Sequence, residues 1–151
     1  MKFFLKKYLS KADIGLITTK IAEVERSTSG EIRVSILHRR GWGERKLSLY
    51  DLALKEFARL GMNKTSDRTG VLIMFVMSER AFQIIADEGI HAKVPDGTWE
   101  KIAAEMSGHF RLGKYVYGIC DAVEAVGREL RQHFPRGAHD RDELSNDVVE
   151  R

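Results

Sequence analysis

The chain has 151 residues, 43% of them hydrophobic, which is enough apolar material for one domain with a real core, and no second domain is needed. Its 25 Lys and Arg against 22 Asp and Glu leave a net charge of +3, too small to carry a nucleic-acid reading by itself. No apolar stretch reaches the ~18 residues of a membrane span, and the single cysteine, Cys120, rules out an internal disulfide.

Charge is unevenly spread: the basic excess lies in residues 1–50, and the middle of the chain is net acidic. Met1-Lys2-Phe3-Phe4-Leu5-Lys6-Lys7 begins like a secretory leader, but the lysines interrupt the apolar run and no small-residue cleavage site follows. The expected location is therefore cytoplasmic. Phe3 to Leu9 reads as a short amphipathic helix, and Ser10 with Asp13 three residues later reads as the capped start of a helix to about Arg26.

Ile32-Arg33-Val34-Ser35-Ile36 follows Ser29-Gly30-Glu31 and alternates as a strand. Its Glu31, Arg33 and Ser35 side is polar, near solvent or an ion pair. A helical pattern from Lys46 to Leu60 then leads to Val71–Met77, which is apolar without interruption, as suits a central strand covered on both faces. A strand, helix, strand crossover of this length makes the outer strands parallel. Only Ser78-Glu79-Arg80 separates Met77 from Ala81–Ala86, which predicts an antiparallel hairpin. After Asp87 an irregular segment with Gly89, Pro95 and Gly97 precedes helices expected over about Thr98 to Phe110 and Val116 to His133, and Pro135-Arg136-Gly137 stops the last. The chain divides into a domain over 1–136 and a polar, partly ordered tail over 137–151 with too little apolar content to pack fully.

This topology brings Glu31, Arg68, Asp87 and Glu88 to one edge of the sheet. Thr28-Ser29-Gly30-Glu31-Ile32-Arg33-Val34, Leu60-Gly61-Met62 with Lys64-Thr65, Arg68 with Gly70-Val71-Leu72-Ile73, Asp87 with Gly89-Ile90, Trp99, Phe110 and Phe134-Pro135 occur in that order. Together they resemble the TPM-domain family, from about Asp13 to near Leu144. The resemblance implies a three-layer α/β/α sandwich, Rossmann-like, with a small mixed sheet. It further implies divalent-cation binding, calcium first and magnesium or zinc after it, and, from a plant thylakoid relative, acid phosphatase activity. Other members are often exported or membrane-tethered, and the interrupted leader departs from them.

Clustered carboxylates either take up protons or bind a cation, and a hard cation takes about six to eight oxygens. Asp87, Glu88, Glu31 and Asp96 are the expected metal ligands, helped by backbone carbonyls and water, although their spacing matches no EF-hand. The structural alternatives are that Asp87 caps a turn, Asp96 caps the helix near Gly97, and Arg68 balances Glu31 or Asp87. In an enzyme, Asp87, with Glu31 second, would act as nucleophile, or a metal-bound water would be activated, with a second carboxylate as general acid and Arg68 clamping a phosphate ester.

The expected function is divalent-cation binding with a regulatory or protein-partner role. A metal-dependent phosphatase is the runner-up, and a basic interaction module built from Lys6, Lys7, Arg39, Arg40 and Trp42 is the third reading. Trp42 either stacks on a base, a sugar or a protein partner, or tucks onto the helix beginning near Lys46. The five histidines show no metal-ligand spacing on one helix face, Trp99 reads as core or site wall, and Cys120 reads as a small buried hydrophobe.

Overall fold

The computed structural model describes residues 9–65, 68–136 and 144–151. The expected helix over Phe3 to Leu9 lies, apart from Leu9, outside the described residues, as do Lys6 and Lys7. Helix α1 (Lys11–Glu25) opens on a full capping box: the Ser10 hydroxyl accepts from Asp13 N–H and the Asp13 carboxylate accepts from Ser10 N–H. Strand β1 (Glu31–Leu37) is followed by a single 3-10 turn (Trp42–Glu44) and by α2 (Leu49–Arg59). Helix α2 begins three residues later than its apolar pattern, because the Ser48 hydroxyl accepts from Asp51 N–H and fixes the cap. Gly61, at φ +71°, takes the left-handed conformation that ends it.

Strands β2 (Gly70–Val76) and β3 (Ala81–Ala86) form the expected hairpin through a 3-10 turn and Arg80 at φ +49°. Asp87 then caps a one-turn helix, α3 (Glu88–His91), and α4 (Thr98–Arg111) and α5 (Tyr115–His133) complete the helices. With the short strand β4 (Val149–Glu150) the sheet order is β3-β2-β1-β4, and β1 and β2 are parallel in the register Glu31↔Gly70 to Leu37↔Val76.

Period-two alternation divides the sheet between two cores. Ile32, Val34, Ile36, Val71, Ile73 and Phe75 face α1, α4 and α5, while Leu37, Leu72, Met74 and Val76 face α2. The result is a three-layer α/β/α sandwich around a mixed sheet. Helices α1 and α5 approach so closely at Gly127 that a Cβ there would stand 2.3 Å from Val24 Cγ1.

Two parts of the structure refine the sequence expectation. Of the two settings expected for the polar side of β1, Ser35 takes the ion pair: it is fully buried beneath α2, where its hydroxyl donates to Glu56, itself paired with Arg59. The end of the expected polar tail joins the sheet as β4 (Val149–Glu150), parallel to β1. Arg151 N–H donates to the Ile36 carbonyl at 3.0 Å, and the Arg151 guanidinium reaches Glu56 at 3.0 Å. Open backbone groups along β1 and a buried carboxylate beneath it recruit this segment, and neither needs apolar content in the tail.

No helix among the described residues is long and apolar enough to cross a membrane.

Candidate functional site

The amino-terminal ends of β1 and β2 and the carboxyl-terminal end of β3 meet at one edge. Glu31 N–H donates to the Thr69 carbonyl at 3.0 Å, Asp87 N–H to the Gly70 carbonyl at 2.9 Å, and Gly89 N–H to the Arg68 carbonyl at 3.0 Å. The Arg68–Gly70 segment thus lies between Glu31 and Asp87 and is bonded to both sides. Arg68 holds φ +57°, a left-handed conformation that few non-glycine residues adopt and that recurs at functional sites.

Two carboxylates are buried at this edge, Glu31 with 2% exposure and Asp87 with 6%. Asp87 is fully engaged. The Arg68 guanidinium donates to it twice, Nε to Oδ2 at 2.9 Å and Nη2 to Oδ1 at 3.1 Å, while Glu88 N–H donates to Oδ1 at 2.8 Å. The Asp87 hydrogen bonds raise the Arg68 pKa further above its ordinary value. Exposed Glu88 comes within 4.0 Å of Arg68 from the solvent side.

The sequence-derived set therefore divides. Glu31, Arg68, Asp87 and Glu88 share the edge. Asp96 is exposed in the turn before α4, and the cap position of that helix is Gly97, with no side-chain cap. Of the structural alternatives, Asp87 does cap a turn, and the partner of Arg68 is Asp87 rather than Glu31. Among the described residues, no group of three or more His, Cys, Asp or Glu side chains is arranged to hold a metal ion.

A second buried carboxylate cluster carries no signal that the sequence reading used. Glu56 on α2 is fully buried and accepts from Ser35, from Arg59 Nε at 2.8 Å and from Arg151 Nη2 at 3.0 Å. Burial pushes its pKa up, but hydrogen bonds from Arg59, Ser35 and Arg151 outweigh burial and bring it down to about 2. Only the i, i+3 pairing of Glu56 with Arg59 is visible in the sequence; the other partners lie 21 and 95 positions away.

The basic loop also divides. Arg40 turns inward, pairing with Glu79 at 2.6 Å and donating to the Leu47 and Glu44 carbonyls. Arg39 stays exposed, and Trp42 is 88% exposed with the Arg45 guanidinium 5.5 Å from its ring centroid. Of the two placements expected for Trp42, the open one is observed. Trp99 packs half-buried against the core, and half-buried Cys120 has its thiol pKa raised by burial.

The model of the TPM domain matches residues 5–129. The chain belongs to the TPM-domain family. The NMR structure of the BA42 protein from the psychrophilic bacterium Bizionia argentinensis is 30% identical, with a TM-score of 0.85 over 95% of this chain and 96% of that one. The amino-terminal domain of a P. gingivalis protein is 26% identical, with a TM-score of 0.68 over 86% and 83%. At 14% identity, the amino-terminal domain of a Corynebacterium glutamicum protein shares the fold, with a TM-score of 0.62 over 89% and 81%. No curated protein matches the chain. In this TPM domain the motif residues Thr28 and Phe134 meet: the Thr28 hydroxyl donates to the Phe134 carbonyl at 2.6 Å, which ties the entry of β1 to the end of α5.

Proposed function

We propose that this TPM domain binds a divalent cation, calcium first, at the Glu31, Asp87 and Glu88 edge, and that binding exchanges with the Arg68 guanidinium as a regulatory step. The observation that carries this is the Arg68–Asp87 pair. A buried carboxylate is neutralised by a side chain that is itself 45% exposed, on a backbone in a rarely populated conformation. The position already selects positive charge, and solvent can receive the guanidinium when it leaves.

The donors are all oxygens, which suits a hard cation rather than zinc. Their present arrangement does not gather three around one point, so Arg68 has to withdraw and Glu88 to turn inward. Asp96 takes no part. Once released, Arg68 presents a bidentate donor fork to solvent, which fits an anionic group on a protein partner. The same fork favours a second reading, phosphomonoester hydrolysis through Asp87, Glu31 and Arg68.

The test is a calcium titration of the metal-stripped full chain, followed by amide NMR, on wild type, Asp87→Asn and Arg68→Ala. Saturable shifts at Glu31, Arg68–Gly70 and Asp87–Gly89 are expected, weakened by Asp87→Asn and strengthened by Arg68→Ala. Flat titrations of both wild type and Arg68→Ala with calcium, magnesium and zinc would overturn the proposal. The phosphatase reading fails if no phosphomonoester is hydrolysed above blank from acid to mildly alkaline pH with each metal present.

A further inference from the structure

The opposite end of the sheet carries a cavity that the acidic edge does not explain. It has a volume of about 610 Å³ and opens at the carboxyl-terminal end of β2, beside the start of β3 and the junction of α4 and α5. That volume falls in the ~300–1,000 Å³ range of small-molecule sites, and the carboxyl ends of parallel strands are where open α/β sheets commonly place ligands.

One wall is a continuous set of rings. Phe75 lies 5.9 Å from Phe82 and 5.6 Å from Phe110, Phe82 lies 5.8 Å from Phe110, and Tyr115 lies 5.4 Å from Phe110, all between centroids. Phe82 and Phe110 are only half-buried, and both line the cavity. The polar members are Ser107, Arg80 and Arg111, and among the described residues no acidic one lines the space. Both arginines are exposed, and neither side chain is ion-paired among the described residues. Arg80 holds its side chain there from a left-handed backbone position, φ +49°, where glycine would be the unstrained choice.

We infer that this cavity binds a small aromatic carboxylate, its rings against the Phe82–Phe110 wall and its carboxylate between Arg80 and Arg111. Apolar burial supplies the bulk of the affinity, and two guanidinium donors at the mouth supply the selection for an anion. The other candidate occupant is the chain's own Phe3-Phe4-Leu5, since Leu9 also lines the cavity. Lys2, Lys6 and Lys7 flank that segment with the same charge as the arginines, which disfavours it.

The full-length protein is titrated with 2-naphthoate and with the neutral naphthalene-2-carboxamide, following amide NMR. Expected are saturable shifts confined to residues 75–82 and 107–119, with the acid at least about tenfold tighter than the amide. In the Arg80→Gly, Arg111→Gln double variant the acid should fall to the affinity of the amide, while amide binding is unchanged and so reports an intact cavity. Should the double variant lose its dispersed spectrum, Arg80→Gly alone carries the same comparison. Equal affinity for acid and amide in the wild type, or no saturable shift, overturns the inference. Binding that emerges only in a Phe3→Ser, Phe4→Ser variant assigns the cavity to the chain's own segment and overturns it equally.

Discussion

Glu56 and Asp87 are both buried carboxylates paired with arginine, yet they do different work. Glu56 sits in mid-layer between α2 and β1, and its three partners come from the helix, the strand and the last residue of the chain. Asp87 sits at the end of the sheet, and its one charged hydrogen-bond partner among the described residues, Arg68, is itself 45% exposed. Charge neutralised from several sides inside the fold holds layers together. Charge neutralised by a single exposed group at a rim can be exchanged with a solute. Stability measurements should therefore follow Glu56, and binding measurements should follow Asp87.

The largest effect expected is on Glu56. Glu56→Ala leaves Ser35 and two guanidinium groups without their acceptor, and breaking such a buried set costs about 3 kcal/mol or more. At about 2–4 °C per kcal/mol for a domain of this size, thermal unfolding should move down by roughly 10 °C. Asp87→Asn, which keeps an oxygen to accept from Glu88 N–H, should move it less; a larger fall for Asp87→Asn would remove the distinction between the two sites.

The same carboxylate dictates a pH signature. Because the folded pKa of Glu56 is about 2 against an ordinary 4.5, its contribution is present above pH 4.5 and lost as pH falls toward 2. The difference corresponds to about 3 kcal/mol at neutral pH. Urea midpoints of wild type should decline across that acid window, and the decline should be correspondingly shallower in Glu56→Gln. Parallel curves for the two proteins would mean that Glu56 is not the group responsible.

The proposed calcium binding sharpens the contrast from the other side. If Arg68 closes the edge in about nine molecules of ten, removing it raises the apparent calcium affinity about tenfold, since only the open fraction binds. Arg68→Ala should show that gain by calorimetry, and Arg59→Ala, which unloads Glu56 instead, should not. An equal gain in both variants would point to a general loss of positive charge rather than exchange at Asp87.

The difference in legibility between the two sites has a physical basis. Helices α1, α4 and α5 and the β2–β3 hairpin announce themselves through local periodicity and local caps such as Ser10 with Asp13, and the crossover length then fixes the parallel pairing of β1 and β2. Topology alone therefore gathers Glu31, Arg68, Asp87 and Glu88 at one edge. What topology does not specify is which charge pairs with which, since Arg68 lies next to both Glu31 and Asp87 along the sheet. Strand β4 and the Glu56 cluster escape for a related reason. A two-residue strand has no period to detect, and Ser35, Glu56 and Arg151 become neighbours only after α2 and the tail have closed over β1.

The smallest effect expected tests whether the same inside-and-rim rule holds in the basic loop. Arg40 resembles Arg59 and Arg151, being tied to Glu79 and to two carbonyls beneath the loop. Arg39 and Trp42 face outward, above Glu44, which accepts from Gly41 N–H at 2.7 Å and pairs with Lys55 at 3.1 Å. Arg40→Ala should cost about 1 kcal/mol, as loss of a charged hydrogen-bonding group does, whereas Arg39→Ala and Trp42→Ala should stay within about 0.5 kcal/mol of wild type. Urea midpoints give all three values. Equal losses at Arg39 and Arg40 would mean the loop is held from both sides, and its exposed tryptophan would then be part of the fold rather than a surface free to meet a partner.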